Sequence, residues 1–287
     1  MEYLKAVRLS FENLRKNPIL MLPETVLFLA TYFLTIGLYK FSGLSEFIKT
    51  TLAEGQKIDP ALFIKDFAQG YTTEIVSSLA IFIFLTFILG AGTEAIKYRM
   101  IKKVIQKQAI GIHDLFGGKS IDFWRIIGMK MIVYLVALAV FLCMMLLASF
   151  VFSISNGLST FVAWVTVGIG LAVFVMLSIG LLFRYAILFI EEKNSAATVR
   201  DSLHYFKINP KHTLISWIVY IVLAGLFAIA SSAVGMIFSY LQGFVSGATA
   251  IYFVSFIGAI MAFGVRLIYN VWAGLFLFEA YNAKRLK

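Results

Sequence analysis

A chain of 287 residues that is 61% hydrophobic and only 14% charged is not an ordinary soluble protein, in which about a quarter of residues carry charge. Its 28 Phe, 13 Tyr and 4 Trp against 4 Pro exclude a disordered or proline-rich linker and favour long apolar helices. The formal charge of +10 sits at the edges of apolar runs, which points to membrane orientation and not to nucleic acid as a partner. The one cysteine, Cys143, excludes an internal disulfide framework and a cysteine-rich metal site.

The first 18 residues carry Lys5, Arg8, Arg15 and Lys16 and end in no small-residue cleavage site, so no signal peptide is expected. Leu4, Val7, Phe11 and Leu14 share a helical face, the pattern of an amphipathic helix lying in the membrane interface. It should stop at Asn17-Pro18, because proline lacks an N–H and disfavours helix in the residue before it. Apolar stretches near 19–39 and 75–93 are each long enough to cross a hydrocarbon core of about 30 Å. Between them, Leu44, Phe47 and Ile48, then Leu62, Phe63 and Phe67, suggest two short amphipathic pieces, the second opened by Asp59-Pro60. They read as helices in the outer headgroup layer or, alternatively, as a lid over an outward cavity. Further spans are expected near 127–152, 160–190, 213–241 and 248–278. The fold class is therefore all-α, a polytopic membrane protein with six transmembrane helices.

Counting Lys and Arg by connector sets the orientation. Four precede the first span, eight lie from Lys97 to Lys130, five from Arg184 to Lys211 and three in the tail, against Lys40, Lys49, Lys57 and Lys65 on the other side. Both termini should be cytoplasmic, in a multi-pass protein of the cell membrane.

The N-terminal pattern recurs 192 residues on. Ala196, Val199, Leu203 and Phe206 repeat the spacing, Arg200 and Lys207 fall where Arg8 and Arg15 fell, Ser202 matches Ser10, and Asn209-Pro210 matches Asn17-Pro18. Since 192 is twice 96, the chain reads as three units, about 1–93, 94–190 and 191–287. Each is an in-plane cytoplasmic helix followed by a transmembrane hairpin. The middle copy is the weakest, with Gly117-Gly118 in place of the Asn-Pro corner. Glu94-Ala95, Glu191-Glu192 and Glu279-Ala280 close the even-numbered spans.

The in-plane helix, the Lys207 to Pro210 corner and the stretch from Arg184 through Glu191-Glu192 to Lys207 together resemble a group of prokaryotic six-span proteins. That group includes the membrane domain fused to some glycerophosphodiester phosphodiesterases. The resemblance implies an architecture and no reaction, because the soluble phosphodiesterase domain has no counterpart in these residues.

Phosphate-loop, His-Glu-x-x-His and Gly-x-Ser-x-Gly signatures are missing, so no catalytic residue, metal or cofactor is expected. His113, His204 and His212 read as headgroup-facing or exposed positions. Gly168 with Ala172 and Ser231 with Gly235 read as helix-packing pairs. Lys119, Phe123, Trp124 and Arg125 suit a lipid surface better than nucleic acid, and Arg8, Arg15, Arg200 and Lys207 are the expected headgroup contacts. Within the spans Arg266 stands out. Thirteen residues before Glu279, it lies roughly 20 Å deep at 1.5 Å per residue. An arginine there needs a partner or water. Asn270 is one turn away, Glu24 is the expected partner and Glu74 the alternative. Three function classes follow: a non-enzymatic membrane-organising or accessory protein that binds membrane lipids or another membrane protein; a transporter or channel for a small anionic solute; and a lipid-modifying enzyme.

Overall fold

The computed structural model describes residues 2–43, 46, 70–154, 159–245 and 247–285. The two amphipathic pieces expected between the first two spans lie outside them. Among the described residues the fold is all-α. Ten helices are α1 (Glu2–Lys16), α2 (Leu22–Phe41), α3 (Thr72–Ile105), α4 (His113–Phe116), α5 (Ser120–Ile154), α6 (Ser159–Gly180), α7 (Arg184–Ile190), α8 (Ser195–Ile208), α9 (Pro210–Gln242) and α10 (Ala248–Arg285). Six helical stretches are long and apolar enough to cross a membrane: Pro18–Phe41, Thr72–Ile105, Ser120–Leu147, Trp164–Ile190, Pro210–Gln242 and Ala250–Arg285. The protein is a multi-pass membrane protein.

The helices outrun the apolar windows because they continue into polar sequence without a breaker. α3 carries on through Lys102 and Lys103 and α10 through Lys284 and Arg285. The fourth span, in contrast, is interrupted. Leu181, Leu182 and Phe183 form a buried turn between α6 and α7, with the Leu182 and Arg184 amides reaching only three residues back, to Ile179 and Leu181.

The chain forms two compact units, Met1–Met21 with Ala95–Lys287, and Leu22–Glu94. The smaller holds α2 and the first part of α3. Thr31 and Thr35 return their hydroxyl protons to the carbonyls of Leu27 and Thr31, so their polarity is satisfied inside α2. Gly43, with φ of +75°, lies just past the end of α2, a left-handed position that glycine occupies without steric cost.

In the larger unit, α5 pairs with α6 and α9 with α10. Each hairpin closes on a glycine, since a Cβ at Gly170 would sit 2.3 Å from Met144 and one at Gly258 would sit 2.7 Å from Phe238. The packing glycine on α6 is thus Gly170 and not Gly168, which is exposed with open space around it; Gly235 likewise has no close neighbour. Contacts between the two hairpins gather at the charged end, through α6 with α9 and α7 with α10. There the Trp217 indole N–H donates to Ser178. Most fully buried large side chains belong to this end, among them Met100, Ile101, Phe183, Ile187, Leu188, Trp272, Leu275, Phe276 and Phe278. Away from it, Leu142, Leu146, Val167, Ile229 and Phe253 are exposed apolar side chains, as lipid contact requires.

α1 packs on α10 and α8 on α5, α6 and α7. Both helices end at the expected corners. Asn17 folds its side-chain amide back to the Asn13 carbonyl and is followed by a 3-10 turn, Pro18–Met21, whereas Pro210 opens α9 directly. Their buried faces share Leu14 and Val199 with the apolar faces read from sequence. On α1 the buried residues are Ala6, Ser10 and Leu14, and on α8 Thr198, Val199 and Ser202. Leu4, Phe11, Ala196 and Leu203 are exposed. Small side chains face the protein because the approach is close: Ser202 donates to the Gly180 carbonyl at 2.8 Å, and Ser195 to the Arg125 carbonyl at 2.8 Å.

Candidate functional site at the charged end

Beyond Ala95, α3 has two faces. Lys97, Met100, Ile101 and Val104 are buried, while Arg99, Lys102, Lys103 and Gln106 line a cavity of about 630 Å³. Both sets follow the i, i+3, i+4, i+7 spacing of a single helical stripe. Lys119, Asp122 and Arg125, at the start of α5, form the opposite wall, and Leu188 and Phe189 of α7 supply an apolar floor.

The cations are held by specific bonds. Lys102 donates to Glu192 at 2.5 Å, and this ammonium holds the Glu192 carboxyl below the usual range. Lys103 donates to Asp114 at 2.6 Å, and the Gly111 amide donates to the other carboxylate oxygen at 2.9 Å. Lys103, then Gly111, depress the pKa of Asp114. Arg99 donates to the Asp114 carbonyl at 2.7 Å. A Cβ on Gly118 would lie 2.9 Å from the Arg99 guanidinium, so glycine at this turn lets that group lie against the backbone. Arg125 is 3.8 Å from Asp122, and Lys119 has no ion pair among the described residues.

A second polar group ties four helices together. Tyr3 meets the His212 Nδ1 at 3.0 Å. The histidine stacks on Phe183 at 5.5 Å and meets Tyr205 edge-on at 6.2 Å. The Tyr281 hydroxyl donates to Glu191, which also pairs with Lys193 at 3.1 Å. Lys193 is 2.6 Å from Asp201, and these two carboxylates, Asp201 first, raise its pKa. Burial raises the Tyr205 phenol. His212 is therefore a buried residue and not the exposed or headgroup-facing one its basic neighbours suggested, because rings from α1, α8 and the turn before α7 enclose it. His113 and His204 are exposed.

The other residues singled out from sequence lie elsewhere. Arg8 is exposed and pairs with Glu12 at 2.8 Å. Arg200 is exposed beside Asp201 at 3.2 Å, and Arg15 and Lys207 are exposed. Arg266 and Asn270 lie mid-way along α10, the first exposed and the second half-buried. Among the described residues of its own unit, Arg266 has no ion pair. Glu24 is half-buried in the first turn of α2, in the smaller unit. Arg99, Lys102 and Lys103 entered the sequence reading only as part of a basic total. Their stripe spacing was the signal that marks them as one wall of a site.

Chemically, the cavity offers guanidinium, ammonium and amide donors over an apolar floor, an arrangement suited to holding an anion. Comparison of the chain with protein-family models, with curated proteins and with solved structures finds no match. What the fold itself defines is the class, an all-α membrane protein with six candidate spans.

Proposed function

We propose that this is a non-enzymatic membrane-organising or accessory protein of the cell membrane, which holds anionic lipids or a partner protein at the face formed by α1 and α8. The observation that carries the reading is the division of these two helices. Each turns small side chains to the protein, with one larger apolar residue apiece, Leu14 and Val199, and leaves other large apolar ones exposed, such as Leu4 at 76% and Ile208 at 62%, beside the exposed cations Arg8, Arg15, Arg200 and Lys207. That is how a helix in a membrane interface is built, with apolar side chains in the acyl boundary and cations on headgroups.

The three-unit repeat supports the same reading. Ala6 and Ser10 are buried, as are Thr198 and Ser202 at the 192-residue offset. The ends of the even-numbered spans also meet, with Tyr98 of α3 stacked on Tyr185 of α7 at 4.2 Å and on Phe278 of α10 at 5.7 Å. The likeness to the six-span group supports this architecture and adds no reaction.

Both termini are assigned to the cytoplasm by the distribution of basic residues. In a Cys143→Ser background, an impermeant thiol reagent applied outside cells should label Lys40→Cys and spare Lys211→Cys; the reverse pattern inverts the orientation. For function, lipid extraction from the purified protein should show retained anionic lipid, reduced in the combined Arg8→Gln, Arg15→Gln, Arg200→Gln and Lys207→Gln variant. A transporter for a small anionic solute is the second reading, favoured by Arg266 and Asn270 within a candidate span. Anion flux in liposomes that disappears with Arg266→Gln, from protein that retains neither lipid nor partner, would replace the first reading with the second.

A further inference from the structure

We propose that the cavity between α3, α5 and α7 is a binding site for a phosphate-bearing anion, with a terminal phosphate monoester as the best-matched group. Its charge balance points to this. Five cations, Arg99, Lys102, Lys103, Lys119 and Arg125, face it, against three carboxylates within reach, Asp114, Asp122 and Glu192. Two positive charges are left over, and a phosphate monoester carries about −1.5 to −2 at neutral pH.

The donors are also arranged for such a group. Arg99 spends one N–H on a backbone carbonyl, which fixes the guanidinium without neutralising it, and its other N–H groups remain as a planar fork for phosphate oxygens. Lys119 has no ion pair among the described residues and stands on the opposite wall as a point charge. Lys119 is exposed at the rim, whereas the side chains of Lys102, Lys103 and Arg125 are 18%, 32% and 26% exposed. Charges withdrawn from water in this way attract an anion more strongly than solvated ones do. The volume of about 630 Å³ admits a phosphorylated headgroup or a small phosphorylated solute, and Leu188 and Phe189 offer its carbon skeleton an apolar floor.

The two sources of such a phosphate are separable, and only the lipid source rests on the membrane-organising reading above. Purified protein is titrated with glycerol 3-phosphate as the soluble probe, and with mixed micelles containing phosphatidic acid or, for comparison, phosphatidylcholine, reading the shift in thermal midpoint. Stabilisation by glycerol 3-phosphate identifies a soluble ligand class, and stabilisation by phosphatidic acid alone identifies a lipid headgroup. In either case Lys119→Gln should weaken binding by about tenfold and the Lys119→Gln, Arg99→Gln pair by more, while Lys5→Gln on α1 changes nothing. Lys119 is exposed and has no ion pair among the described residues, so its variant keeps the test interpretable. Absence of stabilisation by either probe, or equal stabilisation of wild type and the Lys119→Gln variant, overturns the site. Soluble-anion binding by protein that retains no lipid keeps the site and removes the lipid-holding function. Retained lipid that responds to the α1 and α8 variants, with neither probe bound at the cavity, does the opposite.

Discussion

Truncating Trp272 to alanine should cost about 3–5 kcal/mol, the range for removing a fully buried large aromatic side chain. The indole has no exposed surface. It stacks on Phe11 of α1 at 4.9 Å, on Phe227 of α9 at 6.1 Å and on Phe276 of α10 at 5.6 Å, so its loss opens a cavity where three helices meet. Because lipid chains are as apolar as the side chains they replace, such packing and not apolar burial holds membrane helices together. Trp164→Ala, at an exposed position on α6, is the matched control. Size-exclusion profiles after graded heating in detergent should separate the two variants; equal tolerance would remove Trp272 from its place as a keystone.

The second large effect is expected at Asp114→Asn. Asp114 is 5% exposed and receives Lys103 at 2.6 Å and the Gly111 amide at 2.9 Å. Neutralising it strands the Lys103 ammonium, at a cost of about 2–3 kcal/mol. That is below the full figure for a broken buried pair because Lys103 keeps part of its side chain in water. The pH dependence has a definite sign. Lys103 and Gly111 lower the folded-state pKa of Asp114, so the carboxylate contributes its full stability above its unfolded value, about 3.9, and loses it as pH falls through the lower folded value. Wild type should therefore exceed the Asn variant in thermal midpoint at pH 7, with the gap narrowing below about pH 4. A gap independent of pH would assign the effect to packing instead of charge.

The spans were legible because a bilayer demands about 20 apolar residues in succession, and the two corners because proline at 18 and 210 lacks the donor that a continuing helix needs. Which side of α1 and α8 faces the protein was not legible from period alone. Leu4 and Phe11 mark an apolar face, but in a membrane close protein contact favours small residues, here Ala6, Ser10, Thr198 and Ser202, which are buried with Leu14 and Val199. His212 was hidden for another reason: its neighbours in sequence are Lys211 and Thr213, whereas its neighbours in space come from α1, α8, the turn before α7 and the backbone of α10 at Ala280. The cavity was half-visible. Arg99, Lys102, Lys103 and Gln106 form a stripe in any helix drawn from the sequence, but α5 and α7 supply its other walls only once the chain has folded.

The gathering of inter-hairpin contacts at one end has a mechanical consequence for the larger unit. At 1.5 Å per residue the 35 residues of α5 reach about 52 Å, well beyond a hydrocarbon core of about 30 Å. A hairpin clamped at its base and flanked by lipid elsewhere meets a thinner or thicker bilayer by changing its tilt, at a fraction of a kcal/mol per ångström. The leverage of that tilt falls on the base, where Trp272 packs against α1 and α9.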